Sequence, residues 1–380
     1  MAGMSERWLA RAGAAALVWT TVAGAAAPDG GLVAAGTPSA TPWFVTAGRE
    51  PGPTVVLVGG VHGDEPAGAA AAEQIRHWPL VRGRLVVLPR ANVTALAAGK
   101  RLMPGVASAD ANLNRNFPTA ATNATRGALA EAVWDFVRAQ KPDWVVDLHE
   151  GGDFNATNRS SVGSSIIVAR DEVALRAATG MLERVNATVT NAPLRFRQLG
   201  PPITGSLARA AHDRLKAHAM ILETTIKGQP LSRRTRQHRV MVHALLESLA
   251  MIGPDVTPDR LTPHAPGAAR PGDRRWIALY DAEGTGGSGA ARVTALLAPG
   301  TNTVVIRVCA EDVRGGALGA FDVLVVPGGS GSRQAAAMDE AGRAAVLGFV
   351  ERGGGYPGLF AGPHLATSGF DWGLGILKGR

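Results

Sequence analysis

The chain has 380 residues, of which 46% are hydrophobic and 18% are charged, so it can bury a sizeable core, and a disordered protein is excluded. Its single cysteine excludes an internal disulfide framework, a cysteine-rich zinc finger and a CxxC redox site. The net charge of +8 comes from basic residues spread along the chain without a nucleic-acid-binding motif, so nucleic acid is not an expected partner.

Residues 1–27 have the features of a secretory signal peptide. Arg7 and Arg11 precede an apolar run at 12–22, and small residues suited to signal peptidase follow it. The run is shorter than the roughly 20 residues of a membrane-spanning helix, with a retained anchor as the alternative. We therefore expect cleavage near Ala26 and a secreted or periplasmic protein without stable membrane insertion.

Between residues 28 and 253, short apolar runs alternate with stretches of helical periodicity. This alternation predicts an α/β domain whose sheet has a parallel component. The predicted strands are 54–60, 84–89, 144–148, 165–169 and 220–225, and the predicted helices are 68–77, 126–140, 172–186 and 235–252.

The segment 254–273 is rich in proline and glycine, which predicts a linker between two domains. A second strand-and-helix pattern follows over residues 274–380. Its predicted strands are 276–281, 303–309 and 321–327, and its predicted helix is 336–352.

The sequence GGVHGDEP at residues 59–66 directly follows an apolar run. His62 and Glu65 are therefore expected at a strand-to-helix turn, where a spacing of three lets both side chains face one point. Imidazole and carboxylate are ligands that suit Zn²⁺. A third ligand is required from another part of the chain.

The sequence DLHE at residues 147–150 supplies that ligand at the carboxyl end of another apolar strand, where α/β sheets place their sites. Asp147 shares a strand face with His149, so its carboxylate can accept the second imidazole N–H and orient the ring. Two histidines and one carboxylate leave the fourth zinc position open for water, as in catalytic sites.

Two further motifs complete the pattern. In ANLNRNFP at 111–118, Arg115 offers a planar fork for a carboxylate and Asn114 a neutral donor beside it. Glu223, in ILETT, emerges from an apolar strand, where burial raises a carboxyl pKa towards that of a useful general base.

The motifs HGDE, LNRNFP, DLHEG and ILETT, in this order, resemble the zinc carboxypeptidase superfamily, especially its branch near succinylglutamate desuccinylase and aspartoacylase. The resemblance covers about residues 40–250 and implies a mixed-sheet α/β domain. It also implies hydrolysis of an amide bond in a peptide or an N-acyl amino acid. The implied roles are zinc ligation by His62, Glu65 and His149, general acid–base catalysis by Glu223, and binding of a substrate carboxylate by Asn114 and Arg115.

The chain departs from this family's pattern in two places. Asn112 precedes LNR where the family often has Asp. The only two tyrosines, Tyr280 and Tyr356, lie beyond the predicted linker, so the active-site tyrosine of digestive-type carboxypeptidases is missing from the first domain. Lys100 and Arg101 have two open interpretations, a second basic contact in the pocket or a solvated pair in a loop.

The C-terminal region carries PGG at 327–329 and GGGYPGLFAG at 353–362. These motifs resemble class I glutamine amidotransferase-like domains, most closely the biotin-protein-ligase N-terminal-like group, which implies a flavodoxin-like α/β fold. Phe360 stands where the nucleophilic cysteine is expected, and Cys309 lies in an earlier strand-like run. The region is therefore predicted to be a non-catalytic binding or scaffolding module.

Together these features favour an exported zinc-dependent hydrolase that cleaves an amide bond next to a free carboxylate. A metallocarboxypeptidase is the preferred interpretation. An N-acyl amino acid deacylase and a non-catalytic ligand-binding protein are the alternatives.

Overall fold

The computed structural model describes residues 30–265, 267, 274–297 and 302–377. The predicted signal peptide lies outside these residues, and so does part of the linker predicted at 254–273. Within the described residues, no helix is long and apolar enough to cross a membrane.

Eight strands form the first sheet, and parallel and antiparallel neighbours both occur in it. The strands are β1 (Gly30–Val33), β2 (Thr41–Ala47), β3 (Glu50–Gly59), β4 (Arg82–Leu88), β5 (Trp144–Gly151), β6 (Ser165–Val168), β7 (Arg197–Leu199) and β8 (His218–Thr225). Their order across the sheet is β1-β2-β4-β3-β5-β8-β6-β7. The central strands β4, β3, β5 and β8 are parallel, whereas β2 and β6 run antiparallel to their inner neighbours. The mixed α/β fold predicted from the sequence is confirmed.

Helices cover both faces of this sheet. They are α1 (Pro66–Ile75), α2 (Val93–Ala98), α3 (Ala128–Ala139), α4 (Glu172–Asn186), α5 (Leu207–Ala210) and α6 (Leu231–Ser248), with a π-helical turn at Ala211–Leu215 after α5. Alternate residues of β3 enter different cores, because a strand points successive side chains to opposite faces. Val55 and Leu57 pack with α1, α4 and α6, and Val56 and Val58 pack on the α3 side.

The helix predicted at 235–252 is α6, and its bounds differ from the prediction. It begins at Leu231, because the basic stretch that follows is buried against other parts of the chain instead of lying in a loop. It ends at Ser248, because Ala250 has a left-handed backbone conformation (φ 51°) that stops the helix.

A second sheet lies in the C-terminal unit, which we define as the described residues from 274 onwards. Its strands are β9 (Arg275–Tyr280), β10 (Thr303–Val308) and β11 (Val323–Val325), all parallel, in the order β10-β9-β11. Its helices are α7 (Gly289–Leu297), α8 (Ala310–Arg314), α9 (Gly331–Glu351) and α10 (Gly362–Ala366). The flavodoxin-like assignment and the amidotransferase-like resemblance remain predictions.

Phe360 lies in the turn before α10. Its backbone is left-handed (φ 53°), which is uncommon for a non-glycine residue, and its side chain is 90% exposed. Cys309 is fully buried, and burial raises the pKa of its thiol well above the ordinary value. Neither residue therefore offers a thiolate at this turn.

Candidate metal centre

His62 and Glu65 lie in the turn between β3 and α1. The chain leaves β3 through Gly60, which has a positive φ of 68°. A Cβ atom at Gly63 would lie 1.9 Å from the carbonyl oxygen of Ala95, so only glycine fits there. Glu65 occupies the N-cap position of α1, where Pro66 begins the helix.

His149 reaches the same point from the end of β5. Its Nδ1 atom lies 2.7 Å from Glu65 Oε2, and His62 Nδ1 lies 2.9 Å from Glu65 Oε1. The ligand atoms of the three residues all lie within 4.8 Å of one another, and each residue is at most 2% exposed. The structure thus brings together the three residues that the sequence analysis assigned to zinc.

The outer nitrogen of each imidazole faces an oxygen acceptor. His62 Nε2 lies 3.0 Å from Asn112 Oδ1, and His149 Nε2 lies 2.9 Å from Asp147 Oδ2. These partners favour the tautomer with the proton on Nε2, which leaves the Nδ1 lone pairs directed at the common point. Two such nitrogens and a carboxylate fit zinc.

The pKa values of Glu65 and His149 depend strongly on the charges of their neighbours in this cluster. Burial by itself raises the pKa of Glu65, but its interactions with His149 and His62 outweigh burial and hold that pKa well below the ordinary value. Burial lowers the pKa of His149, whereas Asp147 and Glu65 raise it, and the net pKa lies well above the ordinary value. A carboxylate between two imidazoles thus forms a buried site that favours a cation.

Glu223 is the direct neighbour of His149 across the parallel pair β5·β8. It is 7% exposed, and its Oε2 atom has no hydrogen-bond partner among the described residues. Burial raises its pKa well above the ordinary value, and Glu65 and Asp147 raise it further against the opposing effect of His149 and Arg101. A carboxyl group with these properties is suited to proton transfer.

The LNR motif forms a 3₁₀ turn at Leu113–Arg115 beside the cluster. Asn114 Oδ1 accepts a hydrogen bond from Leu207 N at 3.0 Å, and its Nδ2 lies 3.2 Å from His149 Nε2. Arg115 is partly exposed, and its Nη1 donates to the carbonyl oxygen of Asn114 at 2.6 Å. The motif therefore lies next to the imidazole of His149.

Lys100 and Arg101 differ in position although they are adjacent in the sequence. Lys100 is exposed. Arg101 Nη1 contacts Glu65 Oε1, and its side chain is 46% exposed. Arg101 thus extends from solvent to the cluster, as the pocket interpretation of this pair expects.

Glu150, which follows His149 in DLHE, was set aside as the base in favour of Glu223, and its contacts in the structure were not predicted. Its Oε2 accepts a hydrogen bond from Ala67 N at 2.8 Å, and its Oε1 contacts Arg234 Nη1 and lies 3.4 Å from Thr224 Oγ1. This one side chain therefore connects the end of β5 to α1, α6 and β8. Its position next to His149 is the only signal in the sequence, because its main charged partner lies 84 residues away.

Residues 51–249, more than half of the chain, match the family described as the succinylglutamate desuccinylase/aspartoacylase catalytic domain. The chain belongs to this family. Its members are hydrolytic enzymes of a zinc-dependent superfamily, and the family predicted from the motifs is confirmed. The match includes all the motifs of the cluster, from HGDE to ILETT.

A curated relative, the N-alpha-acetyl-L-2,4-diaminobutyric acid deacetylase of Halomonas elongata, is 38% identical over 110 residues. These residues make up 27% of this chain and 30% of the relative. The match therefore spans less than a third of that protein.

Two solved structures are similar at lower identity. The tripeptide-bound cell shape determinant Csd4 of Helicobacter pylori is 21% identical with a TM-score of 0.49, and the match covers 58% of this chain and 57% of that one. The succinylglutamate desuccinylase/aspartoacylase of Rhodobacter sphaeroides is 22% identical with a TM-score of 0.41, and the match covers 58% and 61%. The chain thus spans less than two thirds of either protein.

Proposed function

We propose that this protein hydrolyses the amide bond of an N-acyl amino acid, with zinc bound by His62, Glu65 and His149. The observation that carries the proposal is the position of Glu223. Its buried carboxyl group, with one unpartnered oxygen, lies beside His149 on the neighbouring strand. A metal-binding triad next to an unsatisfied acid is the arrangement required for activation of a water molecule.

When bound, zinc would act as a Lewis acid that polarises the amide carbonyl and favours deprotonation of the attacking water. Glu223 accepts the proton of that water at a carboxylate oxygen. It then donates this proton to the nitrogen of the leaving amine as the amide C–N bond breaks. A cation beside Glu223 opposes the effect of burial on its pKa and so favours the carboxylate form needed at the start.

Arg115 and Asn114 are proposed to hold the free carboxylate of the substrate. Arg115 has a planar guanidinium that can donate two parallel hydrogen bonds to a carboxylate. With the His149 proton on Nε2, the adjacent Nδ2 of Asn114 lacks an acceptor there and can donate to the substrate. Arg101 contacts Glu65 and is placed to stabilise the oxyanion that forms at the carbonyl.

The family and the curated relative support a deacylase over the carboxypeptidase that the sequence analysis preferred. The positions of the two tyrosines support the same choice. Tyr280 is fully buried in the C-terminal unit, and Tyr356 donates a hydrogen bond to Gly362 O in the same unit. Neither of them lies in the candidate metal centre.

A carboxypeptidase is the second candidate, because export by the predicted signal peptide would give a hydrolase access to peptides of the cell wall. The observation in its favour is the leader-like segment at residues 1–27. Both candidates require recognition of a free carboxylate. In both substrates this α-carboxylate is on the amine side of the cleaved amide. The candidates differ in the acyl side, which is a small acyl group in an N-acyl amino acid and the rest of the chain in a peptide.

The experiment that tests the proposal combines metal analysis with a substrate panel. Purified protein is loaded with zinc and incubated with N-acetyl and N-succinyl amino acids and with short peptides. Release of acetate or succinate identifies a deacylase, and release of a C-terminal amino acid identifies a carboxypeptidase. Zinc-loaded protein that cleaves nothing in the panel contradicts both candidates. Zinc binding that persists in His62→Ala contradicts the proposed ligand set.

A further inference from the structure

Helix α6 carries two polar faces that contact different parts of the molecule. Arg234 and His238, one helical turn apart, face the strand ends of the metal centre. Arg234 Nη1 contacts Glu150 Oε1, and His238 Nε2 lies 3.3 Å from Thr224 Oγ1. These contacts involve the residues that directly follow His149 and Glu223 in the chain.

The opposite face of α6 contacts the C-terminal unit. Ser232, Arg236 and Arg239 recur at spacings of four and three, so they form one stripe along the helix. Ser232 N lies 3.4 Å from Asp281 Oδ2, and its hydroxyl contacts the Asp281 carbonyl. Arg236 Nε lies 3.4 Å from Asp312 Oδ1, which also pairs with Arg239.

The Arg239–Asp312 pair is completely enclosed. Arg239 is 1% exposed and Asp312 is 0% exposed. The second oxygen of Asp312 accepts a hydrogen bond from Cys309 N at 3.0 Å, and Arg239 also donates to Gln74 Oε1 at 2.8 Å. Since a buried charge requires a partner of opposite charge, this pair holds α6 against the C-terminal unit, and the bond to Gln74 holds it against α1.

The carboxylates that receive α6 lie where a parallel α/β sheet usually binds its ligand. Asp281 follows β9 directly, and Asp312 lies in the first turn of α8, immediately after β10. Ligands of such sheets bind at the carboxyl ends of the strands. In this protein, helix α6 of the same chain packs against the carboxyl ends of β9 and β10.

Glu150 is the point at which α6 meets the metal centre. Its carboxylate joins Arg234 to the backbone N–H of Ala67, two residues after Glu65. The contacts therefore run without interruption from Asp312 through α6 to the segments that carry Glu65, His149 and Glu223.

We propose that the C-terminal unit is a positioning element for the metal centre, and that Asp312 is a positioning residue that acts through α6 and Glu150. The proposal rests on the proposed function only in requiring that His62, Glu65 and His149 bind a metal ion. Groups that hydrogen-bond directly to metal ligands typically change metal affinity about 10–100-fold when they are replaced. Asp312 acts on the ligands only through α6 and Glu150, so its effect should lie at or below the lower end of this range.

The test measures the dissociation constant and visible absorption of Co²⁺ in the full-length chain. Asp312→Asn removes the buried charge. Arg233→Gln is a milder second variant, because Arg233 pairs with Glu311 at 3.1 Å and is 32% exposed. We expect a weaker Co²⁺ affinity in both variants, by up to about tenfold in Asp312→Asn, and an altered absorption spectrum.

Two control variants separate positioning from loss of stability. Val346→Ala weakens the core of the C-terminal unit, which includes no residue of α6. Glu247→Gln changes a residue of α6 itself and removes its exposed ion pair with Arg184 of α4. Both controls should retain wild-type affinity and absorption.

The proposal is overturned if folded Asp312→Asn and Arg233→Gln bind Co²⁺ as the wild type does, or if Val346→Ala weakens binding equally. Wild-type protein that binds Co²⁺ at the triad without hydrolysing any substrate contradicts the proposed function alone. In that case, the Co²⁺ affinities of the variants still test the positioning proposal.

Discussion

His149 and Glu223 are register partners on the parallel strands β5 and β8, and their side chains lie on the same face of the sheet. One belongs to the candidate metal-binding triad, and the other is the buried carboxyl group with an unpartnered oxygen. The sheet therefore holds the ligand and the acid at adjacent positions without support from a flexible loop. Their relative position follows directly from strand pairing.

Replacing Glu223 by Gln should abolish turnover and leave zinc bound. The amide has nearly the same shape but cannot accept a proton from water, and general acid–base catalysis typically contributes about 10²–10⁴-fold. Initial rates and zinc content of the variant are measured together. Glu131→Gln, an exposed substitution on α3, is the matched control. A variant that keeps wild-type activity would exclude Glu223 as the base.

Replacing Asn112 by Leu should weaken zinc binding by about 10–100-fold, because His62 Nε2 loses the acceptor that lies 3.0 Å away. Asn112→Asp should bind zinc at least as tightly as the wild type, since a carboxylate is a stronger acceptor. Competition with a chromogenic chelator measures both affinities. Equal affinity of the Leu variant and the wild type would show that Asn112 does not orient the ligand.

Replacing Arg115 by Gln should raise the KM for a substrate with a free α-carboxylate by about tenfold or more, because a charge-assisted pair of hydrogen bonds is lost. The value of kcat should change less. The same substrate with its carboxylate converted to an amide provides the comparison, and its KM should hardly respond. An equal rise in KM for both substrates would place the carboxylate elsewhere.

Replacing His238 by Gln should reduce the decrease in the free energy of unfolding between pH 7 and pH 5. Burial, together with the charges of His149 and Arg234, lowers the pKa of His238 to about 3 from an ordinary value of 6.5. Between these values the unfolded chain binds a proton that the folded chain does not, so wild-type stability falls as the pH drops below 6.5. At pH 5, this residue lowers the free energy of unfolding by about 2 kcal/mol.

Urea denaturation of metal-free protein at pH 7 and pH 5 measures this contribution. The difference between the two pH values should be smaller in His238→Gln than in the wild type. His77→Gln should reduce the difference similarly, because burial also lowers the pKa of His77 to about 3. An unchanged difference in His238→Gln would mean that this imidazole is not kept neutral by the fold.

Much of the N-terminal fold could be predicted from residue patterns. The predicted strand at 144–148 and helix at 172–186 are present as β5 and α4, because buried strands and amphipathic helices have strong periodic signals. The edge strands β1 and β7 were not predicted, since they are short and largely exposed. The start of α6 was missed because its basic residues are buried by partners distant in the sequence.

The amino-acid sequence by itself predicted the candidate ligands and the candidate acid, because HGDE, DLHE and ILETT are local patterns at strand ends. The tertiary structure alone decided that Asn112 is the acceptor for His62, that Arg101 rather than Lys100 reaches Glu65, and that Glu150 pairs with Arg234. These contacts join residues 36–84 positions apart. Chain periodicity contains no information about such pairs, because they form only when packing brings separate elements together.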